Sequence, residues 1–506
     1  MPGFDFTLVG LPDNAVKESH ERILAALMVN HYEAPKRMLT INMAPADLKK
    51  EGASFDLPLA IGMLAAEEKV KTEKLANYML LGELSLDGSL QPIRGVLPIA
   101  LAARDNGFKG LIVPAGNADE AAVVEGIEVY GMNGLIDVIA FLNGQSLPEP
   151  VHVDTARLLR ESAFPTDLDF SDVRGQENVR RAMEVAAAGG HNMIMVGPPG
   201  AGKSMMAKRL PTILPPLTMA EALETTKIHS VAGMMNRKQG ALHGDTLIVQ
   251  RPFRSPHHTI TDVALVGGGS NPQPGEISLA HNGVLFLDEL PEFKRTALEV
   301  MRQPLEDRKI TVSRARFTVE YPAGFMLVAA MNPCPCGHYG ENNPQHPCTC
   351  TPAQVHRYHS KISGPLMDRI DIQCEIKAVS YSDLRDETPG ESSASMRERV
   401  LRARRVQELR FAEYNRTAAP SAVVHCNAQM TGKMVRQYCV LSAECDAMLQ
   451  QAMDSMGLSA RAYDRILKVS RTVADLNGHT EIALEDLLEA INFRSLDKKD
   501  WKEHGC

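Results

Sequence analysis

The residues with the clearest chemistry lie between Gly197 and Ser204, which read GPPGAGKS. They fit the phosphate-loop pattern G-x-x-x-x-G-K-[ST], with glycines, a lysine and a serine in the fixed places. Such glycines let backbone N–H groups point at phosphate oxygens, and the following helix adds its positive N-terminal end. The pattern predicts that the lysine reaches the β- and γ-phosphates of ATP and that the serine holds Mg2+. The predicted ATP-binding residues are Gly197, Pro198, Pro199, Gly200, Ala201, Gly202, Lys203 and Ser204.

A second chemical pair, Asp288 and Glu289, ends the apolar run GVLFL at 283–287. The run is typical of a buried strand, so both carboxylates are expected at its carboxyl end. Asp288 is predicted to hold Mg2+ through water beside Ser204, and Glu289 to polarise the water that attacks ATP. Acidic residues often end strands, and it is the position after the phosphate loop that makes this pair informative.

A further apolar strand, 325–331, ends at Asn332. An amide at this place can contact the γ-phosphate and the attacking water. The strand, turn and helix order around these residues predicts an α/β fold with a parallel sheet. Within it, Lys203, Glu289 and Asn332 are predicted to be catalytic.

Two C-x-C pairs follow Asn332 and are separated by eleven residues. Four thiols can hold Zn2+ in a tetrahedral site, but the usual zinc pairs have two residues between the cysteines, not one. The spacing leaves two interpretations open, a zinc knuckle or four reduced thiols in a loop. The residues concerned are Cys334, Cys336, Cys348 and Cys350.

The segment between the two nucleotide motifs contains a histidine pair and a glycine triplet. Adjacent histidines are expected to point in different directions and no third ligand is suitably spaced, so His257 and His258 are not predicted to bind metal. The triplet is expected at the tip of a mobile loop, and a solvent loop without a task is the alternative. Its members are Gly267, Gly268 and Gly269.

Residues 310–319 alternate in polarity, which predicts a β-hairpin with Arg314 and Arg316 near its turn. A solvated strand edge explains two such arginines equally well. A strongly basic helix is predicted at 397–416. A solvated helix face is its default interpretation, and contact with phosphate groups is the alternative.

Composition limits the class of protein. The 506 residues, 44% of them hydrophobic, suffice for about three domains with real cores. The 54 Lys and Arg against 62 Asp and Glu give a net charge of −8, so any DNA contact must be local. We see no signal peptide and no stretch near the roughly 18 apolar residues of a membrane span. Nine cysteines then indicate reduced thiols, a cytoplasmic location and no membrane partner.

Residues 1–145 alternate strands and helices, and their order resembles the Lon-protease-like domain of the ribosomal protein S5 superfamily. In the protease, a Ser and a Lys in two helical segments form the catalytic dyad. The matching segments here, 56–60 and 93–99, contain neither residue, so the resemblance implies a proteolytically inactive domain. Similar proteins carry a further strand before the segment that begins here with Met1, so we expect an N-terminal truncation.

The nucleotide motifs together resemble an AAA+ ATPase of the magnesium-chelatase-like group. On that resemblance, Arg369 in LMDRID is an arginine finger that reaches the neighbouring subunit's γ-phosphate. Arg461 in LSARA is the sensor 2 arginine of the helical lid. The resemblance also implies that the hairpin arginines and the glycine triplet face a central pore and contact DNA.

Five divisions of the chain follow from these patterns. The ATPase core includes the cysteine-rich loop 334–350, and the lid is the magnesium-chelatase C-terminal domain. The divisions are 1–145, the Lon-like domain; 146–169, a Pro-rich linker; 170–380, the AAA+ core; 381–396, a polar hinge; and 397–506, the helical lid.

With the Lon-like domain in front, nearly the whole chain resembles the ComM/YifB family of competence proteins. The family implies ATP and Mg2+ as cofactors and a homohexamer that moves single-stranded and branched DNA. Its task there is recombination of incoming strands during natural transformation. The alternative is the ATPase subunit of a metal chelatase, a motor without DNA. An ATP-dependent protease is opposed by the missing Ser and Lys.

Overall fold

The structure is a computed structural model. It describes residues 6–10, 14–33, 39–45, 50, 52–161, 164, 167–235, 246–269, 272–314, 317–340, 347–378, 390–419, 422–494 and 496. Up to residue 161, the elements are β1 (Phe6–Val9), α1 (Asn14–Val29), β2 (Leu39–Asn42), α2 (Asp56–Ala66), β3 (Tyr78–Leu80), β4 (Glu83–Leu84), β5 (Leu90–Gln91), α3 (Val96–Asp105), β6 (Gly110–Pro114), α4 (Ala115–Ala122), β7 (Glu128–Met132), α5 (Leu135–Leu142) and α6 (Thr155–Glu161).

The middle of the chain alternates strands and helices. Its elements are α7 (Glu177–Gly189), β8 (Met193–Val196), α8 (Lys203–Arg209), α9 (Met219–Val231), β9 (Phe253–Arg254), α10 (Asp262–Val266), β10 (Gly267–Gly268), β11 (Gln273–Pro274), α11 (Glu276–Leu279), β12 (Val284–Leu287), α12 (Arg295–Val300), α13 (Arg302–Asp307), β13 (Lys309–Arg314), β14 (Phe317–Pro322), β15 (Met326–Met331), α14 (Pro352–His359), α15 (Gly364–Met367) and β16 (Ile372–Glu375).

The last part of the chain is helical in the residues that the structure describes. Its helices are α16 (Ser393–Thr417), α17 (Gly432–Tyr438), α18 (Ala443–Met456), α19 (Ala460–Asn477) and α20 (Leu484–Asn492). Several begin with the side chain of a Ser or Thr that accepts a backbone N–H, as Ser392 does for α16 and Ser459 for α19. The predicted hinge, 381–396, falls largely outside the described residues.

The chain divides into two compact units. The first comprises Met1–Glu161 and Met219–Ile248, and the second comprises Ser162–Thr218 and Val249–Cys506. Helix α9, which the sequence places inside the ATPase core, therefore belongs to the first unit, where it packs on α3. Its Ser230 carbonyl accepts a hydrogen bond from Gly95 N at 3.2 Å. Helix α6 lies within the predicted linker.

The first unit contains a parallel sheet in the order β3-β6-β7, with β1 and β2 forming a separate parallel pair. Strand β6 is buried along its whole length. Where the protease resemblance places the serine helix, the start of α2 carries the buried Asp56. Its carboxylate accepts hydrogen bonds from Arg22 at 2.7 and 3.0 Å and from Leu84 N at 3.2 Å. This segment therefore joins α1, α2 and β4.

The second unit is built on a five-stranded sheet in the order β16-β8-β15-β12-β9. All four neighbouring pairs are parallel. Side chains of one strand alternate between two apolar cores, so Met193 and Met195 enter one core while Ile194 and Val196 enter the other. Parallel strands buried on both faces are continuous apolar runs, as the sequence of β8 and β12 indicates. The α/β fold with a parallel sheet and a helical C-terminal region is confirmed.

Candidate nucleotide site

The phosphate loop follows β8 at the carboxyl edge of the sheet. Gly200 and Gly202 have φ angles of 80° and 87°, which residues with a side chain rarely adopt. At Gly197 the reason for glycine is close packing, because a Cβ there would lie 2.2 Å from Ile376 O. The local sequence thus folds into the turn that the phosphate-loop pattern predicts.

Lys203 begins α8 and turns its side chain back over the loop. Its Nζ donates hydrogen bonds to Gly197 O at 2.5 Å, to Pro198 O at 2.8 Å and to Asn332 Oδ1 at 2.9 Å. Burial lowers the pKa of Lys203, while the charges of Asp288 and Glu289 act in the opposite direction. The ammonium group therefore lies among the groups that would surround a γ-phosphate.

Ser204 and Asp288 provide two oxygens at one point. Ser204 Oγ donates a hydrogen bond to Asp288 Oδ2 at 2.5 Å. Hydroxyl and carboxylate oxygens are the ligands that Mg2+ prefers, and Mg2+ sites of this kind are completed by phosphates and water. The donor set fits Mg2+, which would neutralise charge on the phosphates.

Glu289 and Asn332 lie at the carboxyl ends of β12 and β15, which are hydrogen-bonded neighbours. Glu289 has a φ of 51°, an uncommon value for a residue with a side chain. Such local strain is common at functional sites. The structure thus brings the predicted Lys203, Ser204, Asp288, Glu289 and Asn332 together at one edge of the sheet.

Arg369 lies at the other end of the sheet. It precedes β16, whose first residue, Ile372, is level with Met193 at the start of β8. Arg369 is 4% exposed, pairs with Glu306 and donates a hydrogen bond to Pro365 O at 2.6 Å. Because the phosphate loop follows the carboxyl end of β8, Arg369 is separated from its own chain's loop by the length of a strand.

Arg461 lies in the first turn of α19 and is exposed. The hydrogen bond from Arg369, followed by the charges of Arg369, Arg461 and Arg465, lowers the pKa of Glu306. Arg369, the predicted arginine finger, and Arg461, the predicted lid arginine, therefore both lie near the carboxylate of Glu306. Glu306 and Arg465 had no motif that identified them in the sequence.

A buried polar network at the same end of the sheet was also missed by sequence reasoning. His191 Nδ1 donates to Asp371 Oδ2 at 3.1 Å, and His191 Nε2 lies 2.8 Å from Thr472 Oγ1. Burial lowers the pKa of His191, because it disfavours the charged form of the ring. Burial alone would raise the pKa of Asp371, but Arg465 and the His191 hydrogen bond lower it. The network ties lid helix α19 to the sheet.

The histidine pair differs from expectation. The rings of His257 and His258 lie next to each other, with their centroids 4.1 Å apart, instead of pointing in different directions. His257 Nδ1 lies 2.9 Å from Thr259 Oγ1, and His258 Nδ1 lies 3.1 Å from Glu289 Oε2. One histidine of the pair therefore contacts the predicted catalytic carboxylate.

The glycine triplet is not an exposed loop tip, so that expectation is wrong for two of its members. Gly267 and Gly268 are buried and form β10, which pairs with β11. Their φ angles are 104° and 147°, and a Cβ on Gly267 would lie 2.5 Å from Gln273 O. Close approach of two strands, rather than exposure, requires glycine here, and Gly269 is the exposed member.

The predicted hairpin is confirmed as β13 paired with β14, with Arg314 opposite Phe317. Arg316 and the side chain of Arg314 lie outside what the structure describes. Several arginines of the basic helix α16 have internal partners rather than free faces. Arg399 pairs with Glu184 and Glu391, and Arg410 pairs with Asp475.

The four cysteines of the C-x-C pairs come together. Sγ of Cys334 lies 3.3 Å from Cys336 and 3.8 Å from Cys348, and the four Sγ atoms lie within 4.8 Å of one another. A tetrahedral Zn2+ with bonds of about 2.3 Å places its sulfurs about 3.8 Å apart, so the cluster fits this ion. The same loop touches the phosphate loop, because a Cβ on Gly337 would lie 2.6 Å from Pro199 Cδ.

The thiols of the cluster differ in acidity. Burial would raise the pKa of Cys336, but hydrogen bonds from backbone groups of His338 and Thr349, and then from the Cys334 and Cys350 thiols, lower it to about 5. Burial raises the pKa of Cys350 to about 12. A divalent cation would remove the mutual repulsion that opposes several thiolates at one point.

Helix length and polarity bear on membrane insertion. Within the described parts of the chain, none of the helices has both the length and the apolar character that a membrane crossing needs.

The parallel sheet, the phosphate loop and the acidic strand end define an AAA+ module of the magnesium-chelatase-like class. Family models agree: residues 169–384 match "Magnesium chelatase, subunit ChlI", and 390–494 match its C-terminal model. Residues 2–117 match a model described as "Subunit ChlI of Mg-chelatase". This class of protein implies ATP and Mg2+ as cofactors.

The chain belongs to the ComM/YifB family. It is 43% identical to competence protein ComM of Haemophilus influenzae over 498 residues, which cover 98% of this chain and 92% of the relative. Identity to YifB of Escherichia coli is 43% over 502 residues, with 98% and 92% covered. Lon protease 2 of Bacillus subtilis is 28% identical over 187 residues, or 33% of each chain. That partial similarity supports the Lon-like domain.

Proposed function

We propose that this protein is an ATP-hydrolysing motor that acts as a ring, a homohexamer, and moves single-stranded and branched DNA in the cytoplasm. Its substrate would be incoming DNA undergoing recombination in natural transformation, with hydrolysis driving branch migration. The observation that carries the motor proposal is the separation of two groups of residues. The first group lies at the carboxyl ends of the strands and comprises Lys203, Ser204, Asp288 and Asn332. The second is Arg369, which precedes β16 and lies at the amino ends of the strands.

This separation supports hydrolysis between subunits. Arg369 cannot complete the site of its own chain, because a whole strand lies between the two ends. An arginine from a neighbouring copy can stabilise the charge that develops on the transferred phosphoryl group, which is worth several orders of magnitude in rate in enzymes of this kind. Arg461 lies near the same carboxylate, Glu306, and would act on the same side.

The proposal that the substrate is DNA is supported by different observations. The chain is 43% identical to a protein named for competence, and natural transformation requires handling of incoming DNA. A net charge of −8 does not attract DNA, so binding would require assembly that gathers local basic groups. The candidates are the hairpin arginines Arg314 and Arg316.

The test of the DNA proposal is the ATPase rate with and without single-stranded DNA or a four-way junction, at low and high salt. We expect stimulation that weakens steeply with salt. A double variant, Arg314→Ala with Arg316→Ala, should lose stimulation while keeping the basal rate, because the hairpin lies outside the phosphate site. The matched control is Arg104→Ala with Lys109→Ala, two exposed basic residues outside both the hairpin and the basic helix α16.

A second candidate function is the ATPase subunit of a metal chelatase or remodelling complex without DNA. The family models that match the chain carry the magnesium chelatase description, which favours this alternative. The protein could assemble with ATP and hydrolyse it, yet neither bind DNA at low salt nor migrate a junction. That result would favour the chelatase-type function.

We include Zn2+ in the proposal as a structural ion held by Cys334, Cys336, Cys348 and Cys350. Its support is the convergence of four thiols at distances that suit a tetrahedral ion. Such an ion would fix the loop that follows Asn332 and packs on Pro199.

A further inference from the structure

The predicted general base Glu289 has a partner that no motif assigns. His258 Nδ1 lies 3.1 Å from Glu289 Oε2, so the imidazole contacts the carboxylate directly. The two residues come from different elements, since His258 follows β9 and Glu289 follows β12. The contact therefore depends on the sheet that places these strands side by side.

Both ends of the segment that carries His258 are fixed. Strand β9 pairs with β12, with Arg254 level with Leu285, and Arg254 forms two 2.6 Å hydrogen bonds with Glu276. Beyond His258, the side chain of Thr261 caps α10 by accepting from Ala264 N. A short segment held in this way can position a side chain with little freedom.

The ring of His258 is also held laterally. The His257 ring lies 4.1 Å away on one side, and the ring of Phe293 meets it edge-on at 6.4 Å. The His258 side chain is 29% exposed. By contrast the Glu289 side chain is 55% exposed, so little packing restricts its rotation. His258, whose ring is held by its neighbours, therefore sets the orientation of the more exposed Glu289 carboxylate.

Orientation matters for a residue that polarises water. A general base must lie within hydrogen-bond reach of the proton that it takes, and a base is commonly oriented by a third group. The backbone of Glu289 is already set by its φ of 51° and by the hydrogen bond from its N–H to Asp288 Oδ1 at 2.9 Å. What remains free is the carboxylate, and His258 contacts that group.

We propose that His258 is a positioning residue for ATP hydrolysis, which orients the Glu289 carboxylate toward the attacking water. The proposal rests on the proposed ATPase function and names a residue that acts through Glu289. It assigns no role in nucleotide binding to His258, because its contact is with the carboxylate.

The test compares His258→Ala, His258→Asn and His258→Gln. The amide nitrogen of Asn is attached where Nδ1 is attached in His and can donate to Glu289, whereas the amide of Gln corresponds in position to Nε2. We expect His258→Ala and His258→Gln to lower kcat by on the order of tenfold with KM and nucleotide affinity unchanged. His258→Asn should recover most of the wild-type kcat. His257→Phe, which retains a ring beside His258, is the matched control.

A double-variant cycle with Glu289→Gln isolates the coupling. If His258 acts through Glu289, adding His258→Ala to Glu289→Gln should lower kcat no further. Melting temperatures of all variants show that they are folded, and the Asn and Gln variants carry the test if the Ala variant is not.

Three results would overturn the proposal: a wild-type kcat in His258→Ala, a raised kcat in that variant, or equal defects in the Asn and Gln variants. A wild-type protein that hydrolyses ATP without any response to DNA would leave this proposal standing and overturn only the DNA function. A wild-type protein without ATPase activity would overturn the proposed motor itself.

Discussion

Lys203 Nζ donates a hydrogen bond to Asn332 Oδ1 over 2.9 Å, joining two residues 129 positions apart. The contact places the phosphate loop and the end of β15 side by side at the carboxyl ends of the strands. A γ-phosphate oxygen can replace the asparagine oxygen on the lysine and accept from the amide N–H of Asn332 at the same time. We therefore expect the site to bind the terminal phosphate of ATP.

Variants of Lys203 and Glu289 should separate ATP binding from ATP hydrolysis. Lys203→Ala should lose ATP binding, since the cation that contacts the phosphates is gone. Glu289→Gln should bind ATP normally but hydrolyse it on the order of 10² to 10⁴ times more slowly, because only the polarisation of water is lost. Binding of a fluorescent ATP analogue and release of phosphate measure the two effects. A wild-type hydrolysis rate in Glu289→Gln would contradict the role of that residue.

Arg369→Ala should keep nucleotide binding and lose hydrolysis. Mixing it with Lys203→Ala protein should restore part of the turnover, since an interface between the two can contain an intact phosphate loop and an intact arginine. The ATPase rate across mixing ratios measures this, with Arg402→Ala as the surface control. Because Arg369 also pairs with Glu306, melting temperatures must show that the variant is folded. Absence of recovery in rings that exchange subunits would refute the finger assignment.

The cysteine cluster should carry about one Zn2+ per chain in protein purified without chelators. Replacement of Cys334, Cys336, Cys348 and Cys350 by Ser should abolish the bound metal, because hydroxyl groups do not replace thiolates as zinc ligands. Elemental analysis measures the metal content. Replacement of Cys439 and Cys445, which are buried elsewhere, by Ala is the control and should leave the zinc in place. Metal-free wild-type protein would favour reduced thiols.

Stability should depend on pH through His191. Its folded-state pKa lies below its ordinary value of 6.5, because burial disfavours the charged ring. As pH falls below 6.5, the unfolded chain takes up a proton that the folded chain does not, so the free energy of unfolding falls. Asp371 also has a lowered pKa, but its contribution is lost only below its ordinary range near 3.8. The charged groups that face His191 are Asp371, Arg465 and Lys468.

The measurement is denaturant unfolding at about pH 7 and about pH 5 for wild type and His191→Gln. The variant retains hydrogen-bonding groups but cannot titrate, so it should lose less stability on acidification than wild type does. His356→Gln replaces an exposed histidine of the same unit and should retain the wild-type pH dependence. Equal pH dependence in wild type and His191→Gln would show that His191 does not control it.

Local sequence was sufficient to predict the phosphate loop and the ends of the strands. The loop pattern predicts which backbone turns are required, and apolar runs predict where buried strands end. The residues Lys203, Asp288, Glu289 and Asn332 were therefore identified without any knowledge of their contacts. The hairpin at Arg314 was identified for the same reason, since alternation and turn are local properties.

Only the tertiary structure decided which distant residues meet. Periodicity did not show that Gly267 is buried, that α9 belongs to the first unit, or that His258 reaches Glu289. The sequence likewise did not show that the sulfur atoms of the four cysteines lie within 4.8 Å of one another. The physical reason is that backbone conformation is set by neighbouring residues, whereas these contacts depend on which surfaces pack together. The side of the sheet on which Arg369 lies was decided in the same way, by the parallel register of β16 against β8.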